Sequence, residues 1–122
     1  MGKKIFICED EPAIAKLIKL RISADGYRDI LIFENGEVLL AHLKNEKPDL
    51  LILDVMIPGI DGMTVLKTIK SSDEFKTIKV VILTAMSRES DIVSCLDAGA
   101  DDYITKPFSP AELSSRVKKY LR

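Results

Sequence analysis

The sequence predicts an α/β fold in which a five-stranded parallel sheet lies between two layers of helices. Five short apolar runs alternate with five segments whose apolar residues recur at helical spacing. The runs are continuous rather than alternating with polar residues, which indicates strands covered on both faces and therefore parallel pairing. The 122 residues suit one domain of ordinary size. A doubly wound sheet of five strands is expected to have the order 2-1-3-4-5 with right-handed crossovers.

The five predicted strands are rich in isoleucine, leucine and valine, and most give way directly to polar or turn-forming residues. They span residues 4–8 (KIFIC), 29–33 (DILIF), 49–54 (DLLILD), 78–85 (IKVVILTA) and 101–105 (DDYIT). Asn35-Gly36 breaks the pattern after the second run. The register of the second strand, in the stretch from Tyr27 to Asn35, is left open.

The five predicted helices have recognisable start and stop signals. They span residues 12–23, 37–45, 63–72, 89–99 and 109–122. Pro12 suits a first helical position, Asp61 is a candidate cap for the third helix, and Gly99 ends the fourth. Ser109 can cap the last helix, and Glu112 completes a capping box. The first helix is predicted to bury a face made of Ile14, Leu17, Ile18 and Ile22, and the last helix a face made of Leu113, Val117, Tyr120 and Leu121.

Composition excludes several classes of function. Lys and Arg number 18 against 19 Asp and Glu, a net charge of -1, so neither nucleic-acid binding nor a membrane surface is indicated. No apolar run approaches the roughly 20 residues of a membrane span. Cys8 and Cys95 lie in apolar stretches without metal-ligand spacing, as expected of buried thiols in a reducing cytoplasm. We expect a single cytoplasmic domain over residues 1–122, with no effector domain in this chain.

Polar residues lie at or just after the carboxyl ends of four of the predicted strands. Glu9 and Asp10 come after the first, Asp54 ends the third, Thr84 lies at the end of the fourth, and Lys106 follows the fifth. The carboxyl ends of parallel strands meet at one edge of a sheet, and ligands bind there where the strand order reverses. Strands one and three are neighbours in the predicted order, so their three carboxylates should share one small volume.

A cluster of carboxylates either retains protons or holds a cation, because like charges repel and burial penalises them. The few oxygen ligands favour Mg²⁺, and Mn²⁺ is a substitute. An ammonium from Lys106 and a hydroxyl from Thr84 would complete a phosphoryl site in which a free carboxylate attacks in line. Separately, each residue has a plainer explanation, as a solvated loop, a turn, a β-branched strand residue or a surface charge. Their order at successive strand ends favours the site.

Four segments resemble the receiver domain of bacterial two-component response regulators. They are CEDE, LDVMIPGIDG, LTA and GADDYITKPF, and the resemblance extends from Lys4 to Leu121. The stretch from residue 98 to the end is most similar to receivers joined to winged-helix DNA-binding domains. The resemblance implies a flavodoxin-like (βα)5 three-layer sandwich. It also implies a phosphorylation-dependent signalling switch that promotes its own phosphorylation and dephosphorylation without being a turnover enzyme.

The resemblance implies a role for each site residue. Asp54 would be the phosphoacceptor, and Glu9, Asp10, Asp54 and the backbone carbonyl of Met56 would hold the metal. Many family members carry Asp where this chain has Glu9, and either can serve. Pro58, Gly59 and Gly62 would shape the turn that brings backbone to the ion, and Met56 and Met86 would flank the site.

The resemblance also implies a binding set for the phosphoryl group and a switch. Thr84 and Lys106 would bind the phosphoryl oxygens, and Ala85 would stay small to leave access. Tyr103 matches the aromatic switch position. The family often has a cis bond at Lys106-Pro107, whereas the general preference of X–Pro bonds predicts trans.

The partners follow from the same resemblance. A sensor histidine kinase or phosphotransfer protein would supply the phosphoryl group, and a downstream effector would read a face made of helix four, strand five and helix five. A phosphorylation-dependent homodimer through that face would use Asp97, Asp101, Asp102, Arg116 and Lys119. Solvated surface charge explains each of these five equally well.

Three other functions fit the sequence less well. A phosphatase or phosphotransferase with an aspartyl intermediate usually has a second acid two residues after the nucleophile, where this chain has Met56. A receiver-like domain that never takes phosphate would not need the acids, Thr84 and Lys106. A flavodoxin-like cofactor binder needs a Ser/Thr/Gly-rich loop after the first strand, where this chain has acids.

Overall fold

Five parallel strands and five helices alternate along the chain. The computed structural model describes residues 2–57, 59–85 and 88–122. The elements are β1 (Lys4–Cys8), α1 (Pro12–Ala24), β2 (Asp29–Phe33), α2 (Gly36–Leu43), β3 (Leu50–Leu53), α3 (Gly62–Ser71), β4 (Lys79–Thr84), α4 (Glu89–Asp97), β5 (Asp102–Thr105) and α5 (Pro110–Tyr120). The sheet order is β2-β1-β3-β4-β5 with every pair parallel, so the predicted fold class and strand order are confirmed.

The predicted boundaries match at β1 and β2 and differ by one or two residues elsewhere. The register of β2, which the sequence left open, runs without interruption from Lys4 opposite Asp29 to Cys8 opposite Phe33. α2 begins at Gly36, one residue earlier than predicted, because the Asn35 side chain accepts a hydrogen bond from the Val38 amide and caps the helix.

The core consists of two apolar clusters, one on each face of the sheet. In β3, Leu50 and Ile52 pack in the cluster that includes residues of α1 and α5, whereas Leu51 and Leu53 pack in the cluster that includes residues of α2 and α3. Successive side chains of a strand point to opposite faces, and here both faces are covered. This double coverage explains why the strands are continuous apolar runs in the sequence.

The apolar face predicted for α1 is partly wrong. Ile18 and Ile22 are buried as expected, but Leu17 is 51% exposed and the small Ala15 is buried instead. The stripe that contacts the sheet therefore runs through residues 15, 18 and 22, and Leu17 lies on its flank. The face predicted for α5 is confirmed: Leu113, Val117 and Leu121 are buried and Tyr120 is half-buried.

Both predicted caps are present. Asp61 Oδ1 accepts a hydrogen bond from the Thr64 amide at 3.0 Å, and Ser109 Oγ accepts one from the Glu112 amide at 3.0 Å. The Glu112 carboxylate lies 3.7 Å from the Arg116 guanidinium. Among the described residues it accepts no hydrogen bond from the Ser109 amide, so the predicted capping box is only half formed. Within the described residues, no helix combines the length and apolar character needed to cross a bilayer.

Candidate functional site

Three carboxylates meet at the carboxyl edge of the sheet. Glu9 follows β1 and Asp54 follows β3, and these strands are hydrogen-bonded neighbours with Cys8 opposite Leu53. One oxygen each from Glu9, Asp10 and Asp54 lies within 4.8 Å of the others. Glu9 and Asp54 are only 2% and 5% exposed, while Asp10 is exposed. The three acids that the sequence predicted to meet therefore lie together, with Glu9 and Asp54 buried and Asp10 at the open side.

Lys106 reaches this cluster from the end of β5. Its ammonium donates hydrogen bonds to Glu9 Oε1 at 2.7 Å and to Asp54 Oδ2 at 2.8 Å. Its backbone amide donates to the Thr84 carbonyl at 2.9 Å, which holds the start of the β5–α5 loop against the end of β4. Three ionised carboxylates and one ammonium leave two negative charges in the pocket, which matches a divalent cation. The three acids offer carboxylate oxygens, which are the type of ligand that Mg²⁺ and Mn²⁺ bind.

Burial and charge shift the pKa values of the groups in the pocket. Burial raises the pKa of Glu9, and the negative charge of Asp54 adds to this, while hydrogen bonds from Lys106 and from the Glu11 amide oppose it. Burial works to lower the pKa of Lys106, but hydrogen bonds and charge from Asp54 and Glu9 outweigh it, so the net shift is upward. Burial, with the neighbouring acids, raises the pKa of Cys8 to about 12 and keeps it a thiol.

The β3–α3 loop begins at Asp54, and the structure describes its residues 54–57 and 59–61. The Met56 amide donates to Asp54 Oδ1 at 2.8 Å, which fixes the carboxylate. The Gly62 amide donates to the Val55 carbonyl at 3.0 Å and closes the loop. A Cβ on Gly62 would overlap the Val55 Cα and lie 2.8 Å from the Asp54 carbonyl oxygen, so only glycine allows this approach. Pro58, which the sequence placed in this turn, and Met86 lie outside the described residues.

An open cleft of about 240 Å³ lies above the acids. Its lining consists of Asp10, Glu11, Asp54, Met56, Ala85 and Lys106. Thr84 is fully buried at the end of β4, opposite Thr105 of β5, and Ala85 follows it at the surface. Asp10, Asp54, Ala85 and Lys106 thus line one cleft, while Glu9 is hydrogen-bonded to Lys106 and Thr84 is buried next to Ala85. The roles of these residues stay predictions.

Tyr103 lies in β5, half-buried against the core cluster on the α2 and α3 face. Burial raises the pKa of its hydroxyl to about 12, so the side chain is neutral at physiological pH. Its role as a switch residue stays a prediction.

The predicted dimer residues contact other parts of the same chain. Asp102 accepts hydrogen bonds from Arg116 Nη1 at 3.0 and 3.2 Å and from the Tyr120 hydroxyl at 3.1 Å. Asp101 accepts from Lys70 Nζ at 3.0 Å and from the Val80 amide at 2.8 Å. The remaining two candidates, Asp97 and Lys119, are exposed. The Lys119 ammonium lies 5.4 Å from the centroid of the Tyr120 ring. Sequence reasoning did not identify Lys70 as a partner of Asp101 or Tyr120 as a partner of Asp102, because no local pattern indicates contacts between residues 31 and 18 positions apart.

The Lys106-Pro107 peptide bond is cis, so the trans prediction is wrong. The general preference for trans at X–Pro bonds is only about 0.5–1 kcal/mol, which is small enough for tertiary contacts to decide the isomer.

The fold and the site together define a receiver-type signalling domain: a doubly wound sheet whose switch-point edge carries three acids and a lysine. Residues 5–118 match the model of the response regulator receiver domain, and the chain belongs to this family. Receiver domains of this family are the phosphorylation switches of two-component systems.

Two curated relatives extend this assignment. The chain is 43% identical over its whole length to the alkaline phosphatase synthesis transcriptional regulatory protein PhoP of Bacillus subtilis, of which it covers 50%. It is 40% identical over its whole length to the phosphate regulon transcriptional regulatory protein PhoB of Pseudomonas aeruginosa, of which it covers 53%. The chain therefore spans about half the length of these relatives, and the predicted likeness to receivers of winged-helix regulators is confirmed.

Solved structures show the same fold, two of them with a metal. The receiver domain of a signal transduction histidine kinase from Syntrophus aciditrophicus superposes with a TM-score of 0.90 at 37% identity, covering 98% of this chain and 90% of that one. The receiver domain of a sensor histidine kinase from Pseudomonas aeruginosa PAO1, with a magnesium ion in its active-site cleft, gives 0.87 at 27% identity, covering 98% of each. The Mn²⁺-bound response regulator Rcp1 gives 0.84 at 27% identity, covering 97% and 91%.

Proposed function

We propose that this receiver accepts a phosphoryl group on Asp54 in a Mg²⁺-dependent reaction and passes the change to a downstream effector. The observation that carries the proposal is the position of Lys106 Nζ, 2.8 Å from Asp54 and 2.7 Å from Glu9, beside a third carboxylate. A nucleophile, an ammonium and ligands for a hard cation therefore share one pocket, which is the set that phosphoryl transfer needs.

The residues of the chain have separate parts in the reaction. Mg²⁺ held by Glu9, Asp10, Asp54 and the Met56 carbonyl would neutralise charge on the phosphoryl oxygens. The Met56 amide holds Asp54 Oδ1, so the other carboxylate oxygen, Oδ2, is the one that attacks phosphorus. The bond from phosphorus to the donor breaks, and its electron pair leaves with the donor.

Lys106 makes room for this reaction by changing partners. Its ammonium now bonds Asp54 Oδ2, the attacking oxygen, and would move to the oxygens of the transferred group. Glu9, which shares the same ammonium, is then free to face the cation. The lysine charge stays inside the pocket throughout, so the site never holds three carboxylates without a cation.

The phosphorylated state would be read out through Thr84 and Tyr103. Phosphorylation adds charge and acceptor oxygens at Asp54, which draw in Thr84 and Lys106. Charge-assisted hydrogen bonds contribute about 1.5–3 kcal/mol each, so two give roughly 3–6 kcal/mol. Turning a 1:99 equilibrium into 99:1 needs about 5.5 kcal/mol. Inward movement of Thr84 would vacate space for Tyr103, and the face formed by α4, β5 and α5 would change.

The partners and setting form part of the same proposal. The phosphoryl donor is a sensor histidine kinase or a phosphotransfer protein, and the reader is an effector that contacts the α4–β5–α5 face, alone or as a phosphorylation-dependent dimer. The domain binds no nucleic acid itself and is a switch rather than a turnover enzyme. We place it in the cytoplasm, where the buried thiols of Cys8 and Cys95 remain reduced.

Mass spectrometry of the intact chain tests the proposal. With acetyl phosphate and Mg²⁺, the protein should gain one phosphoryl group, and the gain should disappear with EDTA or in the Asp54→Asn variant. Asp73→Asn is the matched control, because the Asp73 side chain is 99% exposed and its ion pair is with Lys76, nearby in sequence. Labelling of Asp54→Asn at the wild-type rate would refute the assignment. Release of many phosphates per chain from a phosphomonoester would indicate an enzyme instead.

A further inference from the structure

The β3–α3 loop is held from outside by the first turn of α2. Glu37 lies in that turn, and its Oε2 accepts a hydrogen bond from the Ile60 amide at 3.3 Å. The two residues are 23 apart in sequence and belong to different βα units. The contact therefore ties the loop that follows the phosphoacceptor strand to a neighbouring helix.

Gly59 is the reason that the Glu37 carboxylate can lie there. Gly59 has a φ of 80°, in the left-handed region that favours glycine. A Cβ at this position would overlap Glu37 Oε1 and lie 2.7 Å from Oε2 and 2.8 Å from the carboxyl carbon. Because Gly59 has no side chain, the Glu37 carboxylate can lie against it, and the two residues together form this contact.

The same loop carries the backbone implicated in metal binding. The Met56 amide bonds the Asp54 carboxylate at 2.8 Å, and the loop closes where the Gly62 amide bonds the Val55 carbonyl at 3.0 Å. Between these fixed ends, the bond from Ile60 to Glu37 restrains the far side of the loop. Such outer contacts orient ligands and tune metal affinity.

We propose that Glu37, seated on Gly59, is a positioning residue that fixes the β3–α3 loop so that the Met56 backbone can serve as a ligand of Mg²⁺. The proposal rests on the proposed function, because it needs the metal to bind at Glu9, Asp10 and Asp54. Glu37 itself touches neither the metal ligands nor the phosphoryl group in this account and acts only through the loop.

Calorimetric titration of Mg²⁺ into the wild type, four single variants and one double variant tests this role. Glu37→Ala should raise the dissociation constant for Mg²⁺ about tenfold, the lower end of the effect expected for such outer contacts. Glu37→Gln has the same net charge as Glu37→Ala, but it keeps an oxygen that can accept the hydrogen bond from the Ile60 amide. It should therefore bind Mg²⁺ with nearly the wild-type dissociation constant. Gly59→Ala should weaken binding as well, because its methyl group displaces the carboxylate. In that background, Glu37→Ala should have no further effect. Glu112→Ala is the control, since Glu112 is also a first-turn acid but pairs with Arg116 in α5.

The outcomes separate the two proposals. If the wild-type protein binds no Mg²⁺, the proposed function fails and this inference falls with it. If wild type binds but Glu37→Ala binds equally well, only the inference is overturned. Equal weakening by Glu37→Gln and Glu37→Ala would also overturn it, because charge rather than the hydrogen bond would then be responsible. Hydrogen exchange at the Ile60 amide gives a readout without metal, and it should be faster in Glu37→Ala than in Glu37→Gln.

Discussion

Replacement of Asp10 by asparagine should stabilise the metal-free protein and destabilise the Mg²⁺-bound one relative to wild type. The Asp10 carboxylate lies within 4.8 Å of those of Glu9 and Asp54, and Lys106 bonds both of these neighbours. Two negative charges and one positive charge leave Asp10 facing one net negative charge. At 4.8 Å, the upper limit of these separations, unit charges repel by about 0.9 kcal/mol in water and about 3.5 kcal/mol at an effective dielectric constant near 20.

The lower figure applies because Asp10 is exposed to solvent. We therefore expect Asp10→Asn to raise the free energy of unfolding in EDTA by about 1 kcal/mol, which is about 3–5 °C in Tm for a chain of this size. Mg²⁺ at 100 times its Kd adds about 2.7 kcal/mol to a protein that binds it. Wild type should gain this stabilisation, whereas the variant, which lacks the negative charge of one ligand, should gain much less. In Mg²⁺ the wild type should therefore have the higher Tm, the reverse of the order in EDTA.

Thermal unfolding followed by circular dichroism, in EDTA and in saturating Mg²⁺, measures both effects. Asp73→Asn, in the connection between α3 and β4, should have the same Tm as wild type in each buffer. The electrostatic account is refuted if Asp10→Asn melts below wild type in EDTA, or if both proteins gain equally from Mg²⁺.

Three further substitutions test other contacts of the structure. Lys106→Met leaves two buried carboxylates without their cation, so urea denaturation without Mg²⁺ should show a loss of about 3–5 kcal/mol; a loss below about 1 kcal/mol would contradict the buried ion pairs. Gly62→Ala places a methyl group against the Val55 Cα, so the same assay should show a loss of about 3 kcal/mol or more; wild-type stability would mean that the loop yields. Burial and hydrogen bonding at Asp102 raise the pKa of Tyr120 to about 12. The folded state then keeps this proton where the unfolded chain loses it, so stability falls as the pH rises from 10 to 12. Tyr120→Phe should show a shallower fall in that range, and an unchanged slope would refute the assignment.

The sequence was sufficient for the features that depend on periodicity and on strand ends. β1 and β2 were predicted with their observed bounds. The continuous apolar runs indicated a parallel sheet covered on both faces, and the strand order followed from the doubly wound order that suits five strands. The acids were predicted to meet for a geometric reason: Glu9 and Asp54 end neighbouring parallel strands. A local pattern was enough for each of these steps.

The features that were missed depend on tertiary contacts. Leu17 fits the helical period of α1, but only the position of the sheet shows that the smaller Ala15 faces it. The contact between Glu37 and Gly59 joins different βα units, and no local pattern predicts it. The cis bond before Pro107 is likewise decided by packing rather than by the dipeptide.

A crystal structure with Mg²⁺ and beryllofluoride, an analogue of the phosphoryl group, would show which residue takes the phosphoryl group and where Lys106 then lies. We predict that beryllium is bonded to an Asp54 carboxylate oxygen and that Mg²⁺ lies among Glu9, Asp10 and Asp54. The Lys106 ammonium should then have moved from the carboxylates to a fluorine. Beryllium on another residue, or a Lys106 ammonium turned away from the Asp54 adduct, would contradict the account.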